Sequence, residues 1–128
     1  MRKTGMILIV DSWVWIEMAS GTEKAQECLR KIKGNELYTS ILNLYEIFYS
    51  LKREREEDQV IGYIETIKSM CNIALVDERV AFLAADIHTD EKLPAIDSFV
   101  YATAILLGGK VLTGDPHFKG KERVVFIG

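Results

Sequence analysis

The chain reads as an α/β protein, a three-layer α/β/α fold around a central, mainly parallel sheet of four to five short strands. Three observations predict it. The candidate strands are short, nearly unbroken apolar runs, the pattern of strands covered on both faces. Segments of helical period stand between them, as parallel connections require. The chain has 128 residues, 48% apolar and 27% charged. That is the size and balance of one domain able to close a core, so residues 1–128 are read as a single unit.

The first strand is residues 6–10, Met-Ile-Leu-Ile-Val. A short helix carrying Trp13, Val14, Trp15 and Ile16 follows, from residue 12 to about residue 19. Ser20-Gly21-Thr22-Glu23 has capping-box spacing and predicts the start of a second helix, with Ala25, Cys28, Leu29 and Ile32 apolar and Gly34 ending it. Residues 36–39 form a short strand. Ser40 then caps a longer helix with Ile41, Leu44, Tyr45, Phe48 and Leu51 on one face. The mixed charges of residues 52–58 mark a solvated junction before a helix over 59–69, with Val60, Ile61, Ile64 and Ile67 inward. Residues 73–76 are a third strand, and Asp77 caps a helix carrying Val80, Ala81, Leu83, Ala84 and Ile87. Pro94 separates that helix from an apolar one over 97–107, ended by Gly108-Gly109. Strands at 111–113 and 124–127 complete the pattern.

Composition excludes several classes. No apolar run is long enough to cross a bilayer, so no membrane association is expected. The basic start, residues 1–5, precedes an apolar run that ends early at Asp11, which argues against a signal peptide and for the cytoplasm. Cys28 and Cys71 lack ligand spacing and lie among apolar residues, as buried free thiols do. His88 and His117 are too few and too far apart for a zinc site. The net charge of −3 does not advertise a nucleic-acid binder. A metal held by four acids would mask four of those charges. Lys119, Lys121 and Arg123 follow Asp115 either as a solvated tail or as a phosphate rail.

Four acids stand where a core would not choose them. Asp11 ends the first strand, and Asp115 follows a later strand through Thr113-Gly114. Asp97 opens a helix whose Phe99, Val100, Ala102, Ala104, Ile105, Leu106 and Leu107 leave almost no polar face. In an open parallel sheet the functional crevice lies beyond the carboxyl ends of the strands, and helix starts face that edge. Topology alone therefore brings Asp11, Asp97 and Asp115 to one rim. Each also has an ordinary reading: Asp97 as a helix cap, Asp115 as a turn residue before Pro116. Glu46 lies inside a helix in a stripe with Asn43, Ser50 and Arg53, and periodicity alone favours a solvent-facing glutamate.

These segments resemble, in order, the four acidic motifs of the PIN-domain family. Ile7-Leu8-Ile9-Val10-Asp11-Ser12-Trp13-Val14-Trp15-Ile16 is similar to that family's opening, and Ser40-Ile41-Leu42-Asn43-Leu44-Tyr45-Glu46-Ile47 to its second motif. Asp97-Ser98-Phe99-Val100-Tyr101-Ala102-Thr103-Ala104 resembles the third and Leu112-Thr113-Gly114-Asp115-Pro116-His117-Phe118 the fourth. The likeness spans the chain and matches the size of a single-domain, VapC-like ribonuclease. Trp13 stands where the family has a small residue, and Trp15 is bulkier than usual.

The resemblance implies an endoribonuclease using Mg²⁺ or Mn²⁺, with Glu46 as the second acid beside Asp11, Asp97 and Asp115. Ser12 and Thr113 become candidates for orienting carboxylates or a phosphate oxygen. It also implies an RNA substrate, a homodimer and a small antitoxin partner. The alternatives are an RNA-processing nuclease, or a PIN-like domain that binds RNA or protein without a toxin role. Tyr45, Phe48, Tyr49, Leu51, Ile61, Ile64 and Ile67 offer either core packing or a homodimer face. A phosphotransfer hydrolase, a response-regulator receiver and a Rossmann nucleotide-binder are disfavoured. Trp13 occupies the place of a second aspartate, residues 1–10 hold no acid for a receiver domain, and no glycine fingerprint follows the first strand.

Overall fold

The computed structural model describes residues 5–128; residues 1–4, on which the signal-peptide reading turns, lie outside them. The elements run β1 (Ile7–Val10), α1 (Ser12–Ser20), α2 (Ala25–Ile32), β2 (Glu36–Ser40), α3 (Ile41–Lys52), α4 (Glu57–Met70), β3 (Asn72–Ala74), α5 (Glu78–Glu91), α6 (Ala95–Leu107), β4 (Lys110–Thr113) and β5 (Val124–Phe126). A 3₁₀ turn, Pro116–Phe118, lies between the last two strands. The sheet has five strands in the order β3-β2-β1-β4-β5, with every pairing parallel.

Side-chain alternation along β1 builds the three layers. Leu8 and Val10 point into a core shared with Val14, Trp15, Cys28, Ile32, Ile47, Leu51, Val60 and Ile67 from α1 to α4. Ile9 points the other way, toward Val80, Ala84 and Ile87 of α5 and Val100, Ala102 and Ala104 of α6. Trp15 is accommodated because its indole Nε1 donates to Thr39 Oγ1 at 2.9 Å, which removes the cost of burying that N–H.

Several local signals hold. Ser40 caps α3 by accepting from Leu42 N, Asp77 caps α5 by accepting from Val80 N, and Gly108 ends α6 in the left-handed conformation. Others are corrected. Ser20 ends α1, Gly21 follows with φ 65°, and α2 starts at Ala25 without a side-chain cap. The reciprocal capping box belongs instead to Glu56 and Gln59, which start α4 inside the charged run. β3 begins and ends earlier than residues 73–76, and Leu75 is 72% exposed.

Helix α6 starts at Ala95 behind Pro94, so Asp97 lies within its first turn and does not cap it. Helix α3 is rotated relative to its apolar stripe. Asn43, Ile47 and Leu51, four residues apart, face inward, while Ile41, Tyr45 and Tyr49 are exposed. Ile61 is exposed too. Both cysteines are free, but only Cys28 is fully buried. Among the described residues no helix is long and apolar enough to cross a membrane.

Candidate metal centre

The strand order reverses direction between β1 and β4, which makes their carboxyl ends the switch point of the sheet. Val10 pairs with Leu112, and Asp11 N donates to Leu112 O at 3.0 Å, so Asp11 and Thr113 emerge side by side. Asp11 occupies the N-cap position of α1, yet its side chain caps nothing there. Instead its Oδ2 accepts from Thr113 Oγ1 at 2.7 Å and its Oδ1 from Asn43 Nδ2 at 3.2 Å. The carboxylate is thereby held in one rotamer at 2% exposure.

Asp115 follows one residue beyond Gly114. A Cβ on Gly114 would collide with the Trp13 ring and lie 2.7 Å from Ile127 O, so only glycine passes between them. Asp115 N donates to Thr113 Oγ1 at 3.0 Å, and one hydroxyl thus serves both acids. Asp115 Oδ1 in turn accepts from His117 N at 3.0 Å.

Glu46 turns toward the site from α3. Its Oε1 accepts from Ser12 Oγ at 2.7 Å and from Asn43 Nδ2 at 3.0 Å, which corrects the solvent-facing reading of the helical stripe. Asn43 itself is fully buried. Its amide serves two acids, while its Oδ1 is a buried acceptor with no partner among the described residues. Such an orphan costs about 1–3 kcal/mol, and what Asn43 contributes here is the protons it donates to Asp11 and Glu46. Asp97, 6% exposed at the start of α6, has Oδ2 3.6 Å from His117 Nδ1.

The electrostatics follow from burial. Asp11 is pushed up to about 7, first by loss of water and then by the charges of Glu46 and Asp115, against the opposing Thr113 hydrogen bond. Asp97 is pushed up to about 8 by burial, then by Asp11, Asp115 and Glu46. The four carboxylates therefore share one electrostatic neighbourhood. Among the described residues no lysine or arginine pairs with any of them. A divalent cation is the group that would let them all ionise, and this mainly oxygen donor set fits Mg²⁺ or Mn²⁺. The tightest grouping is Asp97, Asp115 and His117, whose ligand atoms lie within 4.8 Å of one another.

Sequence reasoning missed two residues here. Asn43 was legible only as the polar position three before Glu46, and His117 only as the second residue after Asp115 in a proline turn. The basic trio is dispersed. Lys119 is exposed, Lys121 Nζ pairs with Glu91 Oε1 at 3.0 Å, and Arg123 lies beside Val111 at the amino end of the sheet, opposite the acids.

A PIN domain family model matches residues 8–124. No curated protein matches the sequence. Solved structures do share the fold. A toxin–antitoxin complex from Klebsiella pneumoniae is 22% identical, with 95% of this chain and 98% of that one covered and a TM-score of 0.79. VapC20 of Mycobacterium tuberculosis, described as a sarcin–ricin loop cleaving toxin, is 16% identical, with coverages of 91% and 96% and a TM-score of 0.75. VapBC2 from Rickettsia felis, bound to a promoter DNA fragment, is 15% identical, with coverages of 94% and 97% and a TM-score of 0.74.

Proposed function

The chain belongs to the PIN-domain family, and on that premise we propose that it is a divalent-metal-dependent endoribonuclease, the toxin of a VapBC-type toxin–antitoxin pair. The observation that carries this reading is the convergence of Asp11, Glu46, Asp97 and Asp115 at the β1/β4 switch point with no lysine or arginine paired to any of them among the described residues. Asp11, Asp97 and Asp115 would hold Mg²⁺ or Mn²⁺, with Glu46 completing the set. When bound, that ion offsets charge developing on phosphate oxygens and lowers the pKa of water.

The chain's own groups do the positioning. Thr113 and Asn43 lock Asp11, and Ser12 and Asn43 hold one oxygen of Glu46. Glu46 Oε2 carries no hydrogen bond among the described residues, and we assign it to accept the proton of the attacking water. Water attacks phosphorus in line, the bond to the leaving oxygen breaks, and solvent returns a proton to that oxygen. Ser12 and Thr113 act by orienting carboxylates.

RNA as substrate is supported by the described activity of the VapC20 neighbour, and a small antitoxin partner by the complexes that share the fold. For a nuclease acting on the cell's own RNA, the cytoplasm is the location we assign. The exposed, stacked Tyr45 and Tyr49, with Phe48 and Ile61, are the surface we assign to a homodimer. The test is cleavage of single-stranded and structured RNA with Mn²⁺ by the wild type and by Asp11→Asn. Loss of cleavage of at least about a hundredfold is expected, the scale of removing one charge-stabilising group. Equal activity in the two proteins removes the mechanism.

A further inference from the structure

We propose that His117 is a nitrogen ligand of the metal centre and biases it toward Mn²⁺ over Mg²⁺. The inference rests on the reading of the site as a divalent-cation centre and adds to it a donor outside the four acids. Its basis is local architecture. Pro116 starts the 3₁₀ turn, the backbone N–H of His117 donates to Asp115 Oδ1, and Phe118 is fully buried with its ring centroid 6.3 Å from that of Tyr101. The turn is thus pinned on both sides of the histidine.

An imidazole that is 61% exposed ordinarily turns toward water. Here Nδ1 faces inward, 2.9 Å from Asp115 Oδ1 and 3.6 Å from Asp97 Oδ2. With one ligand atom from each residue, the three lie within 4.8 Å of one another, and the 2.9 Å and 3.6 Å separations from the imidazole fall in the span of about 2.8–4.4 Å between cis and trans ligands held at about 2.0–2.2 Å from a six-coordinate ion. The other histidine, His88, turns its Nδ1 to Leu93 O instead.

Nitrogen changes the selectivity. Mg²⁺ demands oxygen ligands and sheds water reluctantly, whereas imidazole suits first-row transition metals. Carboxylates joined by one imidazole make a softer set than the carboxylates alone. The competing role is a hydrogen bond from the ring to Asp115 that only positions that carboxylate. The two roles differ, because a ligand offers the Nδ1 lone pair and a donor offers a proton.

The test is calorimetric titration of Mn²⁺ and of Mg²⁺ into metal-free wild type, His117→Ala and His117→Asn, with pulsed electron paramagnetic resonance of the Mn²⁺ complexes. Asparagine keeps a donor for Asp115 but no ring nitrogen. Expected are a nitrogen coupling in the wild type that both variants lose, and a fall in Mn²⁺ affinity of at least about tenfold with Mg²⁺ affinity nearly unchanged. Thermal melting confirms that the variants fold. Absence of nitrogen coupling in the wild type, equal losses for the two ions, or full rescue by asparagine overturns the assignment of His117 and leaves the nuclease reading intact. A wild type that binds neither ion overturns both.

Discussion

The hydroxyl of Thr113 donates to Asp11 Oδ2 at 2.7 Å across 102 residues of sequence, and the same oxygen accepts from Asp115 N at 3.0 Å. One side chain therefore fixes two acids from adjacent parallel strands at the switch point of the sheet. It is fully buried, so no water replaces it.

Thr113→Val keeps the shape and removes the bridge. Stability should fall by about 1–3 kcal/mol, because a buried carboxylate and a backbone N–H each lose a partner. RNA cleavage should fall with it, and Thr113→Ser should recover most of both. Denaturant melts and cleavage rates check this, and a valine variant as active as the wild type contradicts it.

Stability without metal should decline as pH rises. The carboxyl groups of Asp11 and Asp97 are raised from 3.8 to about 7 and about 8. From the ordinary carboxylate range up to those values the folded state keeps protons that the unfolded state has lost, so rising pH favours unfolding. Melting temperature should drop between pH 5 and pH 8 in chelator. Saturating Mn²⁺ should flatten that slope by binding the ionised form. A rise over the same range in chelator would refute the assignment of shifted acids.

Gly114→Ala should destabilise by about 1–3 kcal/mol, the cost of forcing a methyl into a filled site. Its neighbours are the Trp13 ring and Ile127 O. Truncating Trp13 in the same chain should recover only part of the loss, because the carbonyl is backbone and cannot move aside. Melting of the single and double variants measures the coupling.

Tyr45 and Tyr49 are each 60% exposed, with ring centroids 6.1 Å apart. If a second copy covers them, light scattering after size exclusion should give a dimer for the wild type and a monomer for Tyr45→Glu/Tyr49→Glu. A wild type that stays monomeric at high concentration ends the dimer proposal.

The fold was legible because its signals are local. Ser40 and Asp77 declare their helices through a bond to the backbone two or three residues on, and unbroken apolar runs declare strands covered on both faces. False signals were local as well. Ser20-Gly21-Thr22-Glu23 has capping-box spacing, but Gly21 closes α1 in the left-handed conformation and leaves the box unformed.

Acids at the carboxyl ends of two strands and at the start of an apolar helix are a matter of residue order, and that order delivers Asp11, Asp115 and Asp97 to one rim in any parallel arrangement. The packing of distant segments is what buries Asn43 between Asp11 and Glu46, turns His117 toward Asp115 and Asp97, and leaves Arg123 at the opposite edge. Periodicity records how apolar a helix face is. It does not record which distant side chain meets a polar one, and a buried polar group is stable only through that partner.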